Sequence, residues 1–226
     1  MISAGRIGVN GKTLSEFGFK VAPGEDQITL DGKLINSKVQ PKVYWLFHKP
    51  TKTLTARPTD KEDKATIYDV PALKKVSLKL IPVGRLDYMT EGLLILTTDG
   101  EVANRLMHPR YKVPRFYYAL VDRKLTHAEL KQISTGLDLE DGKAAPAKIE
   151  YLHGRHMGKS SGLWYSVEVQ EGKNRLVRRM FEKFDVRVLR LIRYGFGELR
   201  LKESLKPGQY VQLGPSDIQL LKKYSS

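Results

Sequence analysis

The sequence predicts an α+β fold built on a mixed, largely antiparallel sheet, preceded by a small β-rich module. Three observations predict it. Short β-prone runs and amphipathic helical segments interleave without the regular rhythm of a parallel doubly wound fold. Tight-turn dipeptides cluster in the first 35 residues. Hydrophobic residues make up 41% of the 226-residue chain and charged residues 28%, ordinary proportions for a globular protein.

Taken in order, residues 1–35 carry two strand-like runs. These are punctuated by Asn10-Gly11 and Asp31-Gly32, pairs suited to two-residue hairpins, with a further turn at Pro23-Gly24. The module is too small to bury a core of its own. A polar stretch from Ser37 to Pro41 reads as a linker, which gives two domains, 1–40 and 41–226.

Val43–Phe47 begins a β-prone run closed by Lys49-Pro50, and Thr51–Lys64 is a polar connector. Leu80–Gly84 reads as a strand ending in a turn, and Gly92–Thr98 as a buried strand broken by Asp99-Gly100. Glu101–Met107 has helical apolar spacing and stops at His108-Pro109. Phe116–Val121 is a strand. Thr126–Ser134 is a helix whose Thr126 and Glu129 form a capping box. Trp164–Val169 is an alternating strand, Asn174–Phe184 helical, Val188–Ile192 a strand and Ser216–Lys223 a short helix.

Charge narrows the function. Lys and Arg number 39 against 25 Asp and Glu, a net charge of +14 with a pI near 9.8. That excess predicts a polyanionic partner, nucleic acid before any other, although a merely basic, ribosomal-type protein shares the signature. No stretch approaches the roughly 20 apolar residues of a membrane span, and no long basic amphipathic helix suggests a membrane surface. The first six residues lack the apolar core of a signal peptide, and the absence of cysteine removes disulfides, thiolate nucleophiles and sulfur-based zinc sites. A cytoplasmic setting is expected.

Several devices are missing: the phosphate-binding loop ending in Lys-Ser/Thr, the dinucleotide fingerprint and the His-Glu-x-x-His pair. The histidines at 48, 108, 127, 153 and 156 have no metal-site spacing. Nucleotide hydrolysis, hydride transfer and zinc proteolysis therefore lack their usual apparatus.

Two segments stand out. Gly84-Arg85-Leu86-Asp87-Tyr88-Met89-Thr90-Glu91-Gly92 sets a carboxylate in a loop between strand ends, where rigid scaffolds present catalytic groups. Taken alone, Asp87 is more readily read as a turn aspartate capping the following backbone than as a catalytic group. In Gln170–Phe181, Arg175, Arg178 and Arg179 at a helix start are spaced to line one face, with Val177, Met180 and Phe181 on the buried side. Such a face suits phosphate, whose geometry the guanidinium fork matches, and equally suits solvent.

Together the two segments closely resemble motifs of pseudouridine synthases of the RsuA/RluB type. Gly84 to Pro109, with Gly-Arg-Leu-Asp, Thr90-Glu91-Gly92-Leu93-Leu94 and Asp99-Gly100-Glu101, resembles the catalytic motif. Glu171-Gly172-Lys173-Asn174-Arg175-Leu176-Val177-Arg178-Arg179-Met180 resembles the third motif, and Arg115-Phe116-Tyr117 sits where the family has basic-x-Tyr. Residues 1–35 resemble the second half of the small RNA-binding module this family shares with a small-subunit ribosomal protein, without that module's leading helix.

The resemblance implies isomerisation of a ribosomal RNA uridine, with large-subunit rRNA the expected target. The base is flipped out, its glycosidic bond is cleaved with the help of Asp87, and it rejoins the ribose through C5 without a cofactor. Asp87 acts either as nucleophile on the sugar or by taking a sugar proton. Arg178 pairs with Asp87, Tyr117 stacks on the uracil and assists proton removal at C5, and Arg85 fills the space the nucleotide vacates. Leu191 and Ile192 form apolar walls; Arg6, Lys12, Lys173, Asn174, Arg175 and Arg179 hold the RNA. A monomer acting on free rRNA or an assembly intermediate is expected. Two competitors share the sequence: a noncatalytic RNA-binding or ribosome-assembly protein, and a metal-dependent nuclease using Asp87, Glu91 and Asp99.

Overall fold

The computed structural model describes residues 1–22, 24–35, 41–56, 64–154 and 162–224. Pro23, the linker residues Ser37–Gln40, part of the connector after Thr51 and His156 lie outside the described residues. The chain divides into two compact units, Met1–Pro41 and Lys42–Ser226.

In the first unit, β1 (Ile7–Val9), β2 (Lys12–Leu14), β3 (Ile28–Leu30) and β4 (Lys33–Leu34) pair antiparallel in the order β2-β1-β3-β4. Both hairpins turn on the expected pairs: Asn10 and Gly11 have φ of 49° and 78°, Asp31 and Gly32 of 50° and 75°. Two consecutive positive φ angles define the type I′ turn that matches strand twist. The core is slight. Among the unit's described residues Val9 is the buried hydrophobic, while Phe17 is 78% and Phe19 59% exposed.

The second unit runs β5 (Tyr44–Lys49), α1 (Pro71–Lys74), β6 (Ile81–Pro82), β7 (Thr90–Thr97), α2 (Gly100–Met107), β8 (Arg115–Val121), α3 (His127–Thr135), β9 (Leu137–Leu139), β10 (Gly142–Ala144), β11 (Lys148–Leu152), β12 (Leu163–Val169), α4 (Leu176–Glu182), β13 (Val188–Phe196), β14 (Leu199–Arg200), β15 (Tyr210–Gln212) and α5 (Pro215–Lys222). Among the described residues, the main sheet follows the order β11-β12-β8-β13-β7-β5-β15, with β14 on β13 and β6 on β7. Its one parallel pair is β13 with β7; every other pairing is antiparallel. The α+β class and mixed sheet expected from the sequence are therefore present.

Period-two alternation sorts the side chains between faces. Tyr44, Leu46, Leu93 and Ile95 pack under α2 and α5. Trp45, Phe47, Leu94 and Leu96 pack on the other face against Ile67, Leu73 and Leu86. Farther along the sheet Ala119, Val121, Tyr165 and Val167 meet Ile133 of α3 and Val177, Met180 and Phe181 of α4. Burial of each large side chain contributes about 1.5–3 kcal/mol. All of β7 is buried, so the strand that follows the Asp87 turn is the most firmly anchored element of the sheet.

The helix caps follow the sequence. Thr126 accepts from the Glu129 amide at 3.3 Å, and the Glu129 carboxylate accepts from the Thr126 amide at 2.6 Å. Arg123 and that cap together hold the Glu129 carboxyl down at about 2. Several boundaries differ from expectation; among them, β7 starts at Thr90, β13 continues to Phe196, and α4 begins only at Leu176. No helix among the described residues is long and apolar enough to cross a membrane.

Candidate active site

Asp87 sits half-buried in the turn between β6 and β7, and every backbone contact around it is fixed. The Val83 amide donates to Ile95 O at 2.8 Å, and Gly84 turns the chain with φ of 78°. Leu86 is 5% exposed, plugged into the Trp45–Phe47 cluster, and Thr55 Oγ1 both donates to its carbonyl and accepts from its amide. The Thr90 amide closes the turn onto Asp87 O at 3.0 Å.

Beneath the turn lies Lys49, fully buried at the end of β5. Its Nζ donates to Pro50 O at 3.0 Å, Asp87 O at 3.2 Å and Thr90 O at 2.9 Å, so one ammonium ties both ends of the turn to the neighbouring strand. Burial lowers its pKa to about 8, against the upward pull of Asp87 and Glu91. Sequence reasoning placed Lys49 only as the residue closing a strand. The available signal was its phase: Trp45, Phe47 and Lys49 alternate onto one face, the buried one.

Asp87 opens into a cavity of about 700 Å³, within the range of small-ligand sites. Its walls include Arg85, Thr90, Arg115, Tyr117, Leu191 and Arg193, and the segment Gln170–Val177. Strand register explains the grouping. Thr90 pairs with Leu191 and Gly92 with Arg193 across β7 and β13, and Arg193 pairs with Tyr117 across to β8. Neighbours in register share a face, so Tyr117, Leu191, Arg193 and Thr90 form one floor. Gly92 is required there: at φ of 113°, an added Cβ would lie 2.3 Å from Arg193 O.

The same alternation sends two neighbours the other way. Tyr118 stacks on Tyr194, ring centroids 3.8 Å apart, on the opposite face. Ile192 pairs in register with Tyr118 and Glu91 and is buried away from the cavity. Ile192, expected as a second apolar wall beside Leu191, is thus part of the far side of the sheet.

The cationic segment is also rearranged relative to expectation. Arg175 precedes α4 in the left-handed region, φ 49°, and pairs with Glu182 at 2.7 Å. Arg178 turns inward with Val177, Met180 and Phe181 and is 8% exposed. Arg179 pairs with Asp141 at 2.6 Å, and Lys173 Nζ donates to Lys143 O at 2.8 Å. The three arginines therefore do not share one solvent face, because the helix begins two residues later than expected and leaves Arg175 outside it in the left-handed region. Asn174 is exposed on the cavity rim.

Arg178 makes no ion pair with Asp87 within 4.0 Å; its Nη1 donates to Val188 O at 2.9 Å and its Nη2 reaches Met89 O at 3.5 Å. Burial and Arg175 lower its pKa while Asp87 raises it, so the carboxylate is electrostatically close without being touched. In the first unit, Arg6 forks onto Asp31 at 2.8 and 2.6 Å, and Lys12 is exposed on β2.

Asp87, Glu91 and Asp99 do not converge. Glu91 is paired with Arg190, and Asp99 caps α2 while accepting from Tyr44 Oη at 2.7 Å and pairing with Lys42. Among the described residues no three His, Asp or Glu side chains are grouped to hold a metal ion.

Comparison with known proteins follows the same geometry. Residues 43–183, which contain the Asp87 turn, Tyr117 and Arg178, match the family described as RNA pseudouridylate synthase. A protein of Aquifex aeolicus (strain VF5), named an uncharacterized RNA pseudouridine synthase, is 40% identical over 99% of this chain and 86% of its own length. Ribosomal large subunit pseudouridine synthase B of Bacillus subtilis (strain 168) is 37% identical over 98% and 87%. A crystal structure of a pseudouridylate synthase superposes with a TM-score of 0.70 and 27% identity, covering 97% of this chain and 90% of the other.

Proposed function

The chain belongs to the RNA pseudouridylate synthase family and isomerises uridine to pseudouridine in ribosomal RNA, and we propose that its target lies in the large subunit and that Asp87 is the catalytic carboxylate. The observation that carries the assignment of Asp87 is its turn: a carboxylate aimed into a nucleotide-sized cavity by a backbone tied down at Leu86, Asp87 and Thr90. Such rigidity is what preorganised chemistry requires. A protein that only bound RNA would have no use for it.

The flipped uridine enters the cavity with its base over Tyr117 and its sugar toward Asp87. Asp87 then attacks C1′ or removes the 2′ proton, the C1′–N1 bond breaks, the base turns, and C5 bonds to C1′. Arg178 complements the negative charge of Asp87 through space, and Arg85, exposed at the rim, occupies the place the nucleotide leaves. Lys173, Arg175 and Arg179 exchange internal partners for phosphate, as Arg6 does in the first unit, and the exposed Asn174 and Lys12 add their own contacts. A monomer in the cytoplasm, acting on free rRNA or an assembly intermediate without a cofactor, fits this chemistry and the charge of +14.

The test is tritium release from unmodified large-subunit rRNA carrying [5-³H]uridine, with chelator present. Wild type releases tritium; Asp87→Asn binds the RNA within about twofold and releases none. Full activity of Asp87→Asn would overturn the assignment.

A further inference from the structure

Arg193 is a cavity-lining cation that sequence reasoning passed over. It is 2% exposed, on the central strand β13, in register with Tyr117 on one side and Gly92 on the other. Its Nε donates to Leu93 O at 2.7 Å, which fixes the plane of the guanidinium, but among the described residues its buried Nη2 has no partner and no carboxylate pairs with it. Beside it on the same floor, Thr90 Oγ1 is also buried without a partner. A buried donor left unmade is costly, and two on one cavity floor indicate a ligand that completes them.

Charge says what kind of ligand. Arg115, in the cavity wall, has its pKa lowered first by burial and further by Arg193, and its own bond is a long one, 3.3 Å to Val113 O. Arg178 and Lys49 add two more buried cations close enough to feel Asp87. The cavity and the buried layer around it thus set Arg115, Arg193, Arg178 and Lys49 about the Asp87 carboxylate, an arrangement that favours an anion formed in place. An RNA phosphate stays at the solvent rim of a flipped-nucleotide pocket, whereas the base goes to its floor.

We propose that Arg193, with the Thr90 hydroxyl beside it, holds the uracil ring through the moment it carries negative charge, and is thereby a further catalytic residue. This rests on the pseudouridine synthase reading above. When C1′–N1 breaks, the bonding pair leaves with the base whichever way Asp87 satisfies C1′. The resulting uracil anion spreads its charge over N1, O2 and O4. A guanidinium donor on O2 or O4 stabilises that charge more than it stabilises neutral uridine, and so acts in the transition state. As C5 bonds to C1′ the pair enters the new bond, and the proton lost from C5 is balanced by one gained at N1. Being tied to Leu93 O by Nε, Arg193 keeps its place while the base turns above it.

The experiment compares two transcripts of unmodified large-subunit rRNA, one with uridine and one with 5-fluorouridine throughout, under single-turnover conditions with excess enzyme. Fluorine makes the departing base a more stable anion that needs less help. Wild type, Arg193→Gln and Arg193→Lys are followed by loss of the target nucleoside, with RNA affinity and thermal unfolding measured alongside. On the uridine transcript Arg193→Gln slows the first turnover by about 100-fold or more, the effect of removing one preorganised donor to developing charge. RNA affinity stays within about twofold. On the fluorinated transcript the deficit shrinks at least tenfold, and Arg193→Lys, which keeps the charge, lies between. If Arg193→Gln fails to fold, Arg193→Lys carries the same comparison.

Equal deficits on both transcripts would make Arg193 a structural residue and overturn the proposal. So would weaker RNA binding with a shallower salt dependence and an unchanged first turnover, the mark of a phosphate contact. Inactive wild type would remove the function itself, and with it this inference; a defect confined to the wrong step in active enzyme removes only the role of Arg193.

Discussion

Lys49 Nζ lies 3.2 Å from the backbone carbonyl of Asp87, so the side chain that anchors the turn comes from the strand β5, which pairs with β7, and not from the turn itself. Lys49 is a positioning residue, acting through Asp87.

Lys49→Met removes donors from three carbonyls and also removes a buried charge, two effects of opposite sign on stability. Turnover should fall about 100-fold, the usual result of misplacing a catalytic group by an ångström, with RNA affinity unchanged. A KM-against-kcat comparison checks it: a rise in KM at constant kcat would contradict the role.

Protonation of Lys49 gives a pH signature. An ammonium serves three carbonyls; the neutral amine has two N–H groups. With the pKa at about 8, kcat should decline above pH 8, and the decline should vanish in Lys49→Met. Stability moves the other way. The native pKa lies below the ordinary 10.5, so between these values the unfolded chain holds a proton the native chain has released. Stability from this group then rises with pH across that window. Calorimetric unfolding in buffers of different ionisation enthalpy should register proton uptake there.

Tyr117 offers a ring and a hydroxyl that can be separated. Tyr117→Phe keeps the stacking surface and should slow tritium release by about 100-fold if the hydroxyl serves the C5 proton. Tyr117→Ala should additionally weaken binding of a target-containing RNA fragment, by about 1–3 kcal/mol. Equal RNA affinity for Phe and Ala variants would remove the ring from substrate binding.

Gly92→Ala places a methyl 2.3 Å from Arg193 O at φ of 113°. Overpacking and backbone strain together should cost about 3 kcal/mol or more, seen as a fall in Tm of roughly 6–12 °C. An unchanged Tm would mean that β7 and β13 separate more easily than their register implies.

Much of this was legible in the sequence because it is local. The Asn10-Gly11 and Asp31-Gly32 turns, the Thr126–Glu129 box and the apolar runs of β5 and β7 each declare themselves within a few residues. The short strands β9, β10, β11, β14 and β15 escape such a reading, since two to five residues carry little periodicity and their pairing is decided by distant partners. At the site, Asp87, Tyr117 and Leu191 lie in recognisable segments. Lys49 and Arg193 escaped because lysine and arginine are ordinarily read as surface residues; only their phase with Phe47 and Leu191 marks them as inward. The Arg175–Arg179 cluster misled for the opposite reason: spacing suggested one face, and the late start of α4 turned Arg178 into the core.

The position of β13 between β8 and β7 has a consequence for synthesis. It is the seam of the sheet: without it, the half built from β5 and β7 has no backbone bonds to the half built from β8, β12 and β11. Yet it is among the last strands to leave the ribosome, about a hundred residues after the Asp87 turn. A chain released before Val188 would carry every residue of the catalytic motif and still lack the floor on which a base could rest. Chemistry therefore switches on in one late, long-range step, and the enzyme acquires its activity only when nearly the whole catalytic unit is available to fold.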